Sequence, residues 1–290
     1  VPEAVARIGV VLSTYDQPDF LRLVLLGYAA QTRPADEILI ADDGSGPVTA
    51  ALLDAMATEL GLPLVHVHHP DRGFRKTLAL NRAILAAVSD YLIFSDGDCI
   101  PHPGFVEGHG RLARPGCFVS GGYLKLPERV TGAVTEDVVR TGRVFEPVWL
   151  RGQGWRPGRR ALRLAPEGYR AGLLDRITPT RTTWNGHNSA TFRKHLVQVN
   201  GFDLDMEWGG EDRALGMRLR HLGLRGIQGR YRLPVVHMHH GRPYVRDEAL
   251  RRNHAIRERI RRRREVRARR GLAEIEPEEG VTVRTPGGRG

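Results

Sequence analysis

The sequence is poor in lysine and cysteine and has no long apolar run. Only Lys76, Lys125 and Lys194 are lysines; the other 41 of the 44 basic residues are arginines. Two cysteines, Cys99 and Cys117, exclude a disulfide framework and a four-thiolate zinc site and favour a reducing compartment. No stretch approaches twenty consecutive apolar residues, so no membrane-spanning helix is expected. Residues 1–7 lack the charged-then-apolar layout of a signal peptide, and a cytoplasmic location is expected. With 41% hydrophobic residues in a chain of 290 and no internal repeat, a disordered, collagen-like or coiled-coil chain is excluded.

Net charge is +11, but it is unevenly placed. Residues 242–270 hold thirteen arginines against Asp247, Glu248, Glu258 and Glu265, which accounts for +9. The rest of the chain is close to neutral. No aromatic platform is interleaved with these arginines, so nucleic acid is not the expected partner. A solvated basic helix, or one attracted to an anionic membrane surface, fits the composition better.

The first 122 residues alternate short apolar runs with helical patterns, the signature of an α/β fold with a mostly parallel sheet flanked by helices. Strands are expected at residues 8–13, 37–41, 64–67 and 91–95, and helices from Pro18, at 48–60 and at 76–88. Residues 1–122 thus read as one half of the fold and 123–241 as a second. In that second half residues 128–183 lose all periodicity and gain Gly, Pro and Arg, as an irregular insertion would. A helix near 211–222, a strand ending at His237, and an Arg-rich helix with a flexible tail over 242–290 complete the expectation.

Polar clusters follow the expected strands, where open α/β sheets bind ligands. Asp96-Gly97-Asp98 places two carboxylates at a strand end, suited to a hard divalent cation with positions left for phosphate oxygens, although the same residues also make plain turns. Asp42-Asp43-Gly44-Ser45 could bind a base or ribose, or cap the next helix. In Glu207-Trp208-Gly209-Gly210-Glu211-Asp212 the indole offers a face for a sugar ring, the glycines allow close approach, and Glu211 or Asp212 could act as a base. N-terminal helix capping explains the acids there but not the Trp-Gly-Gly before them. His237-Met238-His239-His240 could complete a metal site begun by Asp98, or be a solvated strand end.

These motifs in their order resemble the family 2 glycosyltransferases: Ser13-Thr14-Tyr15, Ala41 to Ser45, Arg72-Gly73-Phe74-Arg75 with Asn81-Arg82-Ala83-Ile84, Phe94 to Pro101, and Val199 to Asp203 before Trp208 to Asp212. The C-terminal part is similar to a galactosyltransferase-type segment found in chondroitin-polymerase-like and bacterial polysaccharide or lipopolysaccharide enzymes. The resemblance implies a GT-A fold with a nucleotide-sugar-binding half over 1–122 and an acceptor-binding and catalytic half over 123–241, a nucleotide-diphosphate sugar donor, UDP-linked in the first instance, and Mn²⁺ or Mg²⁺. It further implies that Thr14, Asp16, Asp43, Arg75, Lys76, Asn81, Asp96 and Gly97 line the nucleotide pocket. Asp98, with Asp96 beside it and His237 or His240, would hold the metal. Trp208, Gly210 and Asn188 would meet the donor or acceptor sugar, and Asp212, next to Glu211, would be the base of an inverting transfer. The implied acceptor is a glycan or lipid-linked hydroxyl. A nucleotidyltransferase acting on a sugar phosphate is the alternative enzyme reading, but it gives no reason for residues 207–212.

Overall fold

The computed structural model describes residues 5–164, 168–241 and 246–287. The parts of the irregular insertion at 165–167 and of the basic end at 242–245 and 288–290 lie outside the described residues. The first half runs β1 (Ile8–Thr14), α1 (Pro18–Ala29), β2 (Glu37–Asp42), α2 (Pro47–Leu60), β3 (Leu64–His68), α3 (Lys76–Ala86), β4 (Tyr91–Asp96), β5 (Cys99–Pro101) and α4 (Phe105–Leu112). Pro18 and Pro47 each open a helix, where the missing N–H costs nothing. The strands β1, β2 and β4 are almost wholly buried, which is why they read as unbroken apolar runs.

The second half runs β6 (Cys117–Lys125), α5 (Glu128–Thr131), α6 (Glu136–Arg140), α7 (Pro147–Gly152), α8 (Gly168–Ile177), β7 (Ser189–Phe192), α9 (Arg193–Gln198), α10 (Glu211–His221), β8 (Arg225–His237), α11 (Asp247–Arg263) and β9 (Thr282–Arg284). All nine strands of the described residues form one sheet in the order β5-β8-β6-β7-β4-β1-β2-β3-β9.

The expected mostly parallel sheet is corrected to a mixed one. Strands β3, β2, β1 and β4 are parallel, as the crossover helices require. Beyond them β7 runs antiparallel to both β4 and β6, β5 antiparallel to β8, and β9 antiparallel to β3. A strand buried on both faces carries the same apolar run in either direction, so only the tertiary pairing settles this.

The insertion at 128–183 is also more ordered than its composition suggests. Apart from the ten-residue α8, its pieces are only three to six residues long, below the length at which periodicity is visible. Val130, Val138, Val139, Val144, Phe145, Trp149 and Leu150 are buried in the same core as β1 and α1. Each such fully buried side chain contributes about 1.5–3 kcal/mol. The Thr135 hydroxyl accepts from the Val138 N–H to start α6, and Arg22 Nε of α1 donates to Glu136 at 2.5 Å.

The expected flexible tail is corrected as well. One side of α11 is buried through Ala249, Asn253, Ile256 and Ile260, and beyond it the chain crosses back to place β9 on the edge of β3. Arg284 there pairs with Asp54 of α2 at 2.5 Å. No helix among the described residues is long and apolar enough to cross a membrane.

Candidate active site

The parallel register brings three strand ends together, with Ser13 of β1 facing Ala41 of β2 on one side and Asp96 of β4 on the other. Ser13 Oγ donates to Asp96 Oδ1 at 2.6 Å and Lys76 Nζ donates to the same oxygen at 2.7 Å. Burial alone would raise the Asp96 pKa, but the Lys76 ammonium and these two hydrogen bonds overcome it and hold the carboxyl below its ordinary range. Burial likewise opposes the charge on Lys76, yet Asp96, Asp212 and Glu211 together raise its pKa. Both groups therefore stay ionised. Asp43 accepts from the Arg75 backbone N–H at 2.9 Å and lies 2.9 Å from His69 Nε2; burial nevertheless raises its pKa. Thr14, Asp43, Phe74, Lys76, Asp96 and Gly97 line a cavity of about 380 Å³ over these strand ends.

At the far side of that cavity, β5 pairs with β8 so that Cys99 faces His237, and the Met238 N–H donates to the Asp98 carbonyl at 3.0 Å. His240 Nε2 is 2.8 Å and His237 Nε2 3.7 Å from Asp98 Oδ2, with the two rings stacked at 5.4 Å. The His239 N–H is taken by Thr131 of α5. Of the three histidines, His237 and His240 are thus the pair brought to Asp98. One carboxylate and two imidazoles converging on one point beside the cavity fit a Mn²⁺-type cation. Cys99 is close to Asp98 and His237, but burial pushes its thiol up, first among several causes, and a protonated thiol is a poor ligand. Asp96 stands apart from this group, its Oδ1 being engaged by Lys76 and Ser13.

A second cavity of about 390 Å³ holds Asp212, Glu211, His187, Tyr123 and Trp208, and Trp208 lines the first cavity too. Glu211 opens α10 and accepts from the Gly209 N–H at 2.8 Å, so it shapes the loop before the helix. Asp212 is the freer carboxylate: its Oδ1 has no hydrogen-bond partner among the described residues. Burial and then the Glu211 charge push its pKa well above the usual carboxylate range, with Lys76 acting against them. Gly186 lies against it, and a Cβ there would come within 2.7 Å of Oδ2.

The sequence of the chain matches known families over the regions that build these cavities. Residues 9–117 match the model described as glycosyl transferase family 2, and residues 178–241 that described as the N-terminal domain of galactosyltransferase. Residues 9–117 thus form a glycosyl transferase family 2 domain.

The chain is 27% identical over 228 residues to the O-antigen biosynthesis protein RfbC of Myxococcus xanthus, covering 76% of this chain and 16% of that protein. It is 34% identical over 130 residues to an uncharacterized glycosyltransferase of Haemophilus influenzae, covering 41% of this chain and 45% of that one. The chain therefore spans less than half the length of either relative. Among solved structures it resembles the mannosyltransferase PcManGT of Pyrobaculum calidifontis in complex with GDP-Man and Mn²⁺, at TM-score 0.51 and 21% identity over 92% of this chain and 64% of that one. A mycobacterial protein matches at TM-score 0.50 and 23% identity over 96% and 83%. These likenesses show the GT-A fold.

Four expected site residues are not among those lining either cavity. Asp16 accepts from the Gly46 N–H at 2.8 Å and ties the β1 and β2 loops together. Asn81 is spent on the backbone of Phe202, donating to its carbonyl at 2.9 Å and accepting from its N–H at 2.8 Å. The Arg75 guanidinium turns to Glu278, 3.0 Å away in the C-terminal segment, and only its backbone serves the pocket, through Asp43. Asn188 is fully buried, donating to the Gly122 and Leu233 carbonyls at 2.8 and 2.6 Å with its oxygen 3.0 Å from His109. Asn81 and Asn188 thus have both side-chain polar atoms engaged inside the fold, whereas Asp16 is exposed and Arg75 Nε has no hydrogen-bond partner among the described residues.

The role given to the Gly pair also changes. Gly209 and Gly210 have φ of 111° and 103°, and a Cβ on either would strike Leu250 or Arg257 of α11. The space above them is filled by α11, although their backbone still borders the second cavity. Sequence reasoning did not find His187 and Tyr123, whose rings meet at 4.4 Å on that cavity wall, because no motif marks them. Burial brings the His187 pKa down to about 4, so it is neutral there.

Proposed function

We propose that the protein is a metal-dependent inverting glycosyltransferase that moves a sugar from a uridine- or guanosine-diphosphate sugar to a hydroxyl of a glycan or lipid-linked acceptor. The observation that carries this reading is Trp208, shared by a cavity holding Asp96 and Asp98 and a cavity holding Asp212. Such an arrangement seats a donor and an acceptor on either side of one aromatic face, with the reacting atoms meeting beside it.

In this reading Thr14, Asp43 and Gly97 contact the nucleotide, and Asp98, His237 and His240 hold the cation. When bound, a divalent ion supplies positive charge next to the leaving diphosphate. Asp212 takes the proton of the acceptor hydroxyl as that oxygen attacks the anomeric carbon, and the bond from that carbon to the diphosphate breaks with its electron pair going to the diphosphate. The raised pKa of Asp212 suits a base, since its proton affinity comes closer to that of the alcohol it must deprotonate. Lys76, paired with Asp96 and within electrostatic reach of Asp212, contributes one ammonium group to offset the negative charge that builds on the diphosphate.

The exposed run Arg261 to Arg264 at the end of α11 suits attraction to anionic lipid headgroups, on which a lipid-linked acceptor would lie. A donor screen measuring nucleotide release from UDP- and GDP-sugars, with Mn²⁺ and with chelator, tests the main reading. Release of nucleoside diphosphate with a glycosylated product is expected; pyrophosphate release from a nucleoside triphosphate and a sugar phosphate would replace it with a nucleotidyltransferase.

A further inference from the structure

The second cavity carries more positive charge than its acids neutralise. Arg163, Arg181, Arg213 and Arg230 line it, and Glu211 is already engaged with the Gly209 N–H. Among the described residues none of the four makes an ion pair, whereas six of the eight arginines of residues 1–122 have a carboxylate partner. Arg163 is half-buried and donates to the Tyr123 carbonyl at 3.0 Å. Burial and then the nearby Arg230 charge lower its pKa, as expected of two guanidiniums facing one space without an anion.

Arg230 is placed there by a specific break in the sheet. The β6–β8 register steps from Gly121 opposite Gly229 to Gly122 opposite Pro234, so residues 230–233 leave the ladder. Gly122 is required beneath them, since a Cβ would collide with the Arg230 carbonyl. Asp175 of α8 anchors the bulge by accepting from the Tyr231 N–H at 2.9 Å and from Arg232 Nε at 2.6 Å. Arg232 is thereby neutralised and Arg230 is left to the cavity. A bulge that forfeits ladder hydrogen bonds and re-aims one charged side chain is a feature of sheet regions that serve a site.

We propose that this cavity selects an acceptor bearing an anionic group, a carboxylate or a phosphate, close to the hydroxyl that is glycosylated. Arg163 and Arg230 are its inner contacts and Arg181 and Arg213 flank them. The proposal deepens the reading of Asp212 as base and rests on it for the word acceptor, but binding of the anion is separable from turnover.

Calorimetric titration of the full chain with methyl glucuronide, glycerol 3-phosphate and neutral methyl glucoside tests it. Either anion is expected to bind at least tenfold more tightly than the glucoside, to weaken as salt rises, and to lose roughly tenfold in Arg230→Gln and in Arg163→Gln. Arg111→Gln, on an exposed helix face, is expected to change nothing. The salt dependence of the unaltered protein keeps the test valid if a variant folds poorly. A preference for the glucuronide points to an acidic sugar, and one for the glycerol phosphate to a phosphorylated or lipid-diphosphate acceptor. Equal binding of all three probes, or anion binding unaffected by both substitutions, overturns the proposal. Anion binding without any sugar transfer in the donor screen would instead sink the function and leave the anion site standing.

Discussion

The side-chain amide of Asn253, at the middle of α11, donates to the Trp208 carbonyl at 3.1 Å and also meets the carbonyls of Glu207 and Gly209 at 2.9 and 3.3 Å. A helix that looks like a basic appendage therefore holds the loop that carries the indole between the two cavities. Asn253→Ala is expected to leave these partly buried carbonyls short of a donor, costing about 1–3 kcal/mol of stability. Sugar transfer should fall with it, while binding of nucleotide alone, which depends on the strand ends, changes less. Thermal unfolding and nucleotide titration on the same preparation check this.

Asp212→Asn removes the base and is expected to lower turnover about 10²- to 10⁴-fold with nucleotide affinity retained. The base works only when ionised, so the rate should rise with pH through its raised pKa and fall on the acid side. Glu211→Gln removes the like charge that helps raise that pKa. The acid limb of the pH profile should move to lower pH in this variant. A limb that stays in place, or moves up, would show that Asp212 is not the titrating group.

Asp98→Asn should weaken nucleotide binding in Mn²⁺ to the level the unaltered protein shows in chelator, and should itself be insensitive to chelator. His240→Ala, at 2.8 Å from the same carboxylate, should show a milder form of the same loss. Fluorescent-nucleotide titrations with and without Mn²⁺ measure both.

Asn81→Ala should behave as a structural lesion. Its two hydrogen bonds hold the Phe202 backbone, and losing them should cost about 1–3 kcal/mol, seen as a fall of several degrees in the unfolding midpoint. The Michaelis constant for the donor should hardly change. A donor constant raised tenfold at unaltered stability would return Asn81 to the nucleotide pocket.

Replacing Arg261 to Arg264 by glutamine tests the membrane-surface reading without disturbing the strand β9 that follows. Flotation with anionic vesicles is expected for the unaltered chain at low salt and to be lost in the variant, with activity on a small soluble acceptor retained. Deleting residues 272–287 is the wrong experiment, because Glu278 there binds Arg75 and Arg82 and Arg284 binds Asp54.

The sequence by itself determined the repeated strand-helix alternation of the first half and the positions of Asp43, Asp96, Asp98 and Asp212, because buried runs and strand-end carboxylates are local patterns. Its motif order also pointed to the family whose model matches residues 9–117. Strand direction beyond β4, the short helices of 128–183 and the packing of α11 on Trp208 to Gly210 were decided only by the tertiary structure. The same holds for which polar side chains point at a ligand. Asn81 and Asn188 sit within family motifs, but an amide that can serve a ligand can equally serve a backbone carbonyl. Which of these it does depends on what the fold packs against it, as Phe202 does for Asn81 and Leu233 for Asn188.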